Sequence, residues 1–196
     1  SMKKKPSLKE KYSELGQQSL IKVQYSCSGF GTDVNESDGY IPIVPEDVRT
    51  ISRLEYLEAE MDDVEAIIGL LKTNQLPTSD LGSGKRLFFV ARSDKKVIGC
   101  VALELYGTSG LLRSLAVHAS FRKNGIGKEL VEKVLTESRN RGISQLFLLT
   151  TTAEKFFSNN NWSIIERSTV PQEVAQSTEF SSVCPSSAIC MSYRLH

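Results

Sequence analysis

From about Ser52 onward the apolar residues fall into a regular rhythm. Leu54, Tyr56 and Leu57 outline a short strand, and Val64, Ile67, Ile68 and Leu71 then recur at helical spacing across Met61 to Asn74. Asp62 and Asp63 stand near the start of that helix, where negative charge meets the positive end of the helix dipole, and Leu76-Pro77-Thr78 ends it. Two strand-like runs follow, Leu87 to Arg92 and Val97 to Tyr106, joined by the short polar link Ser93-Asp94-Lys95-Lys96 as in a hairpin. A third, Leu111 to His118, comes after the turn Gly107-Thr108-Ser109-Gly110. Connections this short belong to antiparallel meanders.

The period then switches. Gly125 to Arg141 reads as a helix with Ile126, Leu130 and Val134 on one stripe, Val131 and Leu135 beside it, and Gly142 closing it. Gln145 to Thr150 is a strand, Ala153 to Asn160 a short helix, Trp162 to Ile165 another strand and Ala188 to Leu195 a last one. Between the last two, Glu166 to Ser187 is polar and strand-poor. The class is α+β, without internal repeats or heptads. Residues 1 to about 50 do not share this rhythm. A helical pattern from Leu8 to Gln18 gives way to Ser26-Cys27-Ser28-Gly29-Phe30-Gly31, an acidic polar run from Thr32 to Gly39, and Pro42 and Pro45. The expected organisation is an arm over residues 1–50, ordered only where it docks, and a folded body over 51–196.

Composition narrows the partners. With 196 residues the chain has room for one domain and an appendage, and 40% hydrophobic residues suffice for a core. The 24 basic and 23 acidic residues leave +1, so a nucleic-acid backbone is not the expected partner. Two histidines and four cysteines (Cys27, Cys100, Cys184, Cys190) lack zinc-site spacing, and no metal is expected. Cys184 and Cys190 could close a loop around a soft ligand or simply be structural, and Cys100 reads as packing. No apolar run approaches the roughly 20 residues that cross a bilayer, and Ser1-Met2-Lys3-Lys4-Lys5 opens without the apolar stretch of a signal peptide. A cytoplasmic protein without membrane partners is the expectation.

The chemistry concentrates in Leu115-Ala116-Val117-His118-Ala119-Ser120-Phe121-Arg122-Lys123-Asn124-Gly125-Ile126-Gly127-Lys128. An apolar strand, a turn and Arg-x-x-Gly-x-Gly open an amphipathic helix. The first amides of a helix have no internal acceptor and carry partial positive charge, which suits a phosphate. Gly125 and Gly127 remove side chains where a pyrophosphate must approach, and Arg122, Lys123 and Lys128 add charge. Two other glycine motifs fail: Glu129 follows Gly127-Lys128 where a Walker loop needs Ser or Thr, and Leu130 stands where a dinucleotide fingerprint needs its third glycine.

This strand-turn-helix resembles motif A of the GNAT superfamily of acetyl-CoA-dependent N-acetyltransferases. Ala153-Glu154-Lys155-Phe156-Phe157 through Asn161-Trp162 resembles the short helix after that family's fifth strand, with Asn161 in place of the usual glycine and able to take a left-handed cap. The resemblance covers roughly residues 52–195. Leu111 to His118 and Leu146 to Glu154 look like the acetyltransferase domain of N-acetylglutamate synthases. Val170-Pro171, Thr178-Glu179-Phe180 and Cys184 to Met191 resemble the GNAT group of bacterial arsenic-resistance operons. The resemblance implies a mixed, mainly antiparallel sheet with splayed fourth and fifth strands, flanked by helices. It implies direct acetyl transfer from acetyl-CoA to the amine of a small amino-acid-like substrate, organoarsenical or phosphinic analogues included, and leaves room for a homodimer.

It also implies roles. Backbone groups of Leu115, Ala116 and Val117 would meet the pantetheine and acetyl, with Leu115 polarising the thioester carbonyl. Arg122, Lys123, Asn124, Gly125, Ile126, Gly127 and Lys128 would hold the pyrophosphate. The fourth strand lacks the family's common carboxylate, so Glu104 is the nearest strand candidate for base or amine-binding group, or else a solvated strand residue. His118 has a suitable intrinsic pKa but falls at the strand end, and water could carry the proton instead. Phe157 occupies the usual place of a Tyr acid, leaving the thiolate to solvent or another group. Arg113, beside Ser114, could clamp a substrate carboxylate or face solvent, and Thr150, Thr151 and Thr152 could offer hydroxyls. Peptide acetylation and a non-catalytic acyl-CoA-binding module are the alternatives.

Overall fold

The computed structural model describes residues 54–81 and 86–196. The expected arm over residues 1–50, with its helical pattern and Cys27, lies outside the described residues. Strand β1 (Leu54–Glu58) leads through a 3-10 turn (Met61–Asp63) into helix α1 (Val64–Thr73). Asp63 organises that entry. Its carboxylate accepts the Glu60 backbone N–H at 2.7 Å and both its oxygens accept from the Arg92 guanidinium, at 2.8 and 2.7 Å.

The meander follows as β2 (Arg86–Ser93), β3 (Lys96–Tyr106) and β4 (Ser109–Val117). Asp94 and Lys95, both at positive φ, turn β2 into β3 in two residues, the geometry that matches strand twist. Alternation on β2 and β3 explains their near-continuous apolar runs, because both faces are covered. Phe88, Val90, Cys100 and Ala102 pack with Ile67 and Leu71 of α1. Phe89, Ala91, Val101 and Leu103 face the other way, into a core with helix α2 (Ile126–Asn140), whose buried Ile126, Leu130, Val131, Val134 and Leu135 form the expected stripe.

Helix α2 is a crossover, so the next strand, β5 (Gln145–Thr150), runs parallel to β4. Helix α3 (Glu154–Ser158) follows, and Asn161 leaves it at φ 66°, as its place in the sequence led one to expect. Short β6 (Ser163–Ile164) and β7 (Ile189–Arg194) complete a seven-stranded sheet in the order β1-β2-β3-β4-β5-β7-β6. The polar stretch 166–187 does more than connect. It carries a 3-10 turn (Arg167–Thr169), helix α4 (Gln172–Ala175) and a π-helical turn (Glu179–Val183). Val170 and Val174 pack there with Leu111, Phe147 and Cys190.

Candidate active site

Two local features of β4 make the site. The strand carries one extra residue relative to β3 between Ala102↔Arg113 and Cys100↔Ala116, a bulge at which Ser114 takes φ 56°. The buried Cys100 thiol donates to the Ser114 carbonyl at 3.6 Å, and burial pushes that thiol's pKa up to about 12. Second, β4 and β5 pair only at Ser109↔Gln145, Gly110↔Leu146 and Leu111↔Phe147. Beyond these pairs β5 continues against β7, while β4 continues, among the described residues, against β3 alone. The expected splay is present.

The parting opens two adjoining cavities. One, of about 430 Å³, is lined by Leu115, Ala116 and Val117, by Arg122 and Lys123, by residues 125–128, and by Asn74, Phe121, Ala153 and Phe156. Asn124 is exposed beside it without lining it. The first hydrogen bond of α2 runs from the Glu129 amide to the Gly125 carbonyl (3.1 Å), so the preceding amides lack an intrahelical acceptor. Gly125 sits at φ 80°, which L side chains rarely adopt. A Cβ at Gly127 would stand 3.6 Å from Phe156 and 3.8 Å from Val117, both of which line this cavity, so glycine keeps it open. Arg122 is folded over the edge, donating from Nη2 to Asn74 Oδ1 (2.6 Å) and from Nε to the Val117 carbonyl (3.2 Å). His118 stands at the end of β4, its Nδ1 facing the Ser120 amide (3.4 Å), its ring edge-on to Phe121 and outside both cavities.

The second cavity, of about 370 Å³, shares Leu115 and Ala153 with the first. Arg113 and Ser114 of β4, Thr150, Thr151 and Thr152 after β5, Leu76 and Pro77, Phe157, and Glu179 and Cys184 form its walls. Thr150 Oγ1 accepts the Ala153 amide (2.9 Å), so this hydroxyl is tied to the start of α3. Phe157 is buried edge-on between Phe156 and Trp162. A separate recess of about 650 Å³, lined by Gln145, Asn161, Arg194 and neighbours, shares no residue with these two.

Behind the second cavity lies a buried ion cluster that corrects two expectations. Glu104 is 4% exposed and does not line the cavity. Its Oε1 accepts from Arg86, at Nε (2.8 Å) and Nη2, and from Arg113 Nη1 (3.0 Å); its Oε2 accepts the Tyr106 hydroxyl (2.6 Å). It is neither a solvated strand residue nor a base facing the cavity. Burial and Glu104 push the Tyr106 hydroxyl's pKa well above its ordinary value. Arg113 is equally buried rather than on an exposed face. It donates to Asp80 at 2.5 and 3.1 Å and lies 2.6 Å from Glu179 Oε2. Burial opposes its charge, but Glu179, Asp80 and Glu104 outweigh it and hold the guanidinium's pKa above the usual value. Its amino groups face carboxylates already present. Asp80 and Arg86 escaped sequence reasoning, and Glu179 entered it only within Thr178-Glu179-Phe180, without a role. Arg86 and Glu104 sit directly across β2 and β3, a signal readable once the meander register is set, whereas Asp80 and Glu179 stand in aperiodic polar stretches.

Cys184 Sγ donates to Glu179 Oε1 at 3.0 Å, and burial with that carboxylate pushes its thiol up to about 12. Cys190 is buried in the core, pushed up to about 11 by burial; both thiols are free. Among the described residues no cluster of three or more His, Cys, Asp or Glu is arranged to hold a metal ion, and no helix is long and apolar enough to cross a membrane.

Residues 84–164 match the acetyltransferase (GNAT) domain model. An uncharacterized N-acetyltransferase of Chlorobaculum tepidum is 39% identical over 90 residues, 45% of this chain and 57% of that protein. An amino-acid acetyltransferase of Shewanella oneidensis is 27% identical over 170 residues, 80% of this chain and 34% of that protein. The chain thus spans from about a third to a little over half of the length of these curated relatives. Among solved structures, N-acetylglutamate synthase of Neisseria gonorrhoeae, complexed with coenzyme A and L-arginine, superposes with a TM-score of 0.61 at 22% identity, covering 73% of this chain and 33% of that one. Rv2747 of Mycobacterium tuberculosis, solved with CoA and NLQ, gives 0.60 at 26% identity over 72% of this chain and 99% of its own. The domain match over residues 84–164, the splayed mixed sheet and the glycine-opened crossover helix agree, and the fold is that of a GNAT acetyltransferase domain.

Proposed function

We propose that the chain is an acetyl-CoA-dependent N-acetyltransferase that passes acetyl directly to the amine of a small, amino-acid-like substrate. The observation that carries this reading is the parting of β4 from β5 beside the α2 start, which joins an anion-suited helix mouth to a second, side-chain-lined cavity. The first cavity fits coenzyme A on its own chemistry. Amides of residues 125–128 and the cations Arg122, Lys123 and Lys128 suit a pyrophosphate, and the open space at Gly127 admits it. From Leu112 onward the β5-facing edge of β4 has no strand partner among the described residues, so it can take an extended amide-bearing arm as it would an added strand. When bound, acetyl-CoA supplies a thioester carbon open to attack by an amine.

The chain's own residues do the rest. The Ser114 carbonyl is turned onto the Cys100 thiol, so the Leu115 N–H of the same peptide points the opposite way, where such a donor can stabilise charge on a carbonyl oxygen. Leu115 and Ala153, which both cavities share, make the junction apolar, and Leu148 and Phe157 line the second cavity beside it. An amino-acid-like acceptor is supported by the small second cavity and by the amino-acid acetyltransferases among the relatives, at 25–29% identity. Organoarsenical and phosphinic analogues belong to the same chemical class.

Thiol release from acetyl-CoA, followed with a panel of free amino acids and then short peptides, tests the reading. Turnover with free amino acids is expected. Turnover with peptides alone would replace the substrate class, and cofactor binding without turnover of any amine would make this a binding module.

A further inference from the structure

We propose that Glu179 receives the ammonium of the acceptor and takes its proton, a role that rests on the acetyltransferase reading above. Three carboxylates surround Arg113, those of Asp80, Glu104 and Glu179, and of these Glu179 alone lines the acceptor cavity. The other two are held from behind: Asp80 accepts both Arg113 amino groups, and Glu104 accepts from Arg86, Arg113 and Tyr106.

Glu179 is differently placed. Its Oε1 accepts the Cys184 thiol, whose raised pKa keeps it a protonated donor through neutral pH. Its buried Oε2 lies 2.6 Å from Arg113 Nη2 yet makes no aligned hydrogen bond. An ammonium ion arriving at Glu179 supplies positive charge and N–H donors to a carboxylate of which one oxygen accepts only a thiol and the other has no aligned donor. The proton leaves the ammonium nitrogen for the Glu179 carboxylate, which lines the cavity, and passes from there to solvent, which frees the nitrogen lone pair for attack.

The support of Glu179 is rigid. The π-helical turn it begins is pinned from outside by Arg167, which donates to the Pro185 carbonyl (3.2 Å) and the Phe180 carbonyl (3.5 Å) and stacks on the Phe180 ring. π-helical turns of this kind recur at functional sites. The charged and titratable groups facing Glu179 are Arg113 from β4 and Cys184 from its own segment, with Arg167 beside Cys184 and Asp80, Arg86 and Glu104 behind Arg113.

Two experiments on the full chain test this. First, with glutamates labelled at Cδ and coenzyme A bound, methylammonium chloride is titrated against tetramethylammonium chloride. The resonance absent from Glu179→Gln is expected to shift saturably with methylammonium and not with tetramethylammonium. No response overturns the proposal, even where no acceptor is turned over. Second, with any amino acid the wild type acetylates, Glu179→Gln is expected to lower kcat on the order of 10²–10³-fold and erase the acidic limb of the pH–kcat profile, while Glu179→Asp retains that limb. Glu104→Gln, a structural change, retains it too. An unchanged limb in Glu179→Gln assigns the proton to another group. Absence of coenzyme A binding sinks the acetyltransferase reading itself, whereas binding without a Glu179 response sinks this proposal alone.

Discussion

Replacing Arg113 by Met tests whether the ion cluster behind the second cavity holds the domain together. The Arg113 side chain is 2% exposed, and its partners Asp80, Glu104 and Glu179 are 5%, 5% and 9% exposed, so solvent screens these pairs little. Removing the guanidinium takes from three buried carboxylates the cation they share. Breaking a buried pair in this way costs about 3–5 kcal/mol, against about 5–15 kcal/mol for a whole domain. Met fills most of the volume, so a cavity adds little. Urea denaturation of the full chain should show the midpoint falling with an unchanged slope, since the surface exposed on unfolding is the same. The double variant Arg113→Met with Glu179→Gln should recover part of the loss, because one of the stranded charges is gone; a coupling of about 0.5–3 kcal/mol is expected for groups in contact. A loss below about 1 kcal/mol, the worth of an exposed pair, would refute the reasoning.

Other outcomes follow from single positions. Gly127→Val should weaken acetyl-CoA binding at least about tenfold by filling space between Phe156 and Val117, with stability within about 0.5 kcal/mol of wild type by urea denaturation. Gly125→Ala should cost about 1–2 kcal/mol in the same assay, because φ 80° crowds a Cβ against the following carbonyl. The thiols of Cys100, Cys184 and Cys190, raised to about 12, 12 and 11, should react with iodoacetamide at pH 8 on the order of 10²-fold or more slower than in the urea-unfolded chain, where ordinary thiols ionise near 8.5. Because these folded-state values lie above the unfolded one, the thiols' contribution to stability is full below about pH 9 and is lost as pH climbs toward 12, which urea midpoints at rising pH would record.

Much of the fold was legible because its signals are local. The two-residue turn at Asp94-Lys95, the helical stripe from Ile126 to Leu135 and the left-handed Asn161 each follow from residue types within a few positions. The helix mouth was legible for the same reason, since Gly125 and Gly127 act on the backbone they belong to. The acceptor cavity was not. Glu104 looked like a catalytic carboxylate because alternation sets it opposite Leu103 and Leu105, but alternation cannot say whether the other face is wet. Here Glu104 is covered by Arg86, Tyr106 and Arg113, and Arg113 is held in turn by Asp80 from the loop after α1 and by Glu179 from a segment about 75 residues beyond Glu104 in the chain. Neither lies in a periodic stretch, and only tertiary packing brings them to Arg113. The bulge at Ser114 was hidden too, because one extra residue on a strand leaves the apolar pattern almost intact.

Calorimetric titration of the folded full chain with coenzyme A tests the joined cavities most directly. One saturable site per chain, weakened in Gly127→Val and retained in Glu179→Gln, is the expected result. A flat titration with protein that unfolds cooperatively in urea would contradict the assignment of the β4–β5 opening and the α2 start to the cofactor.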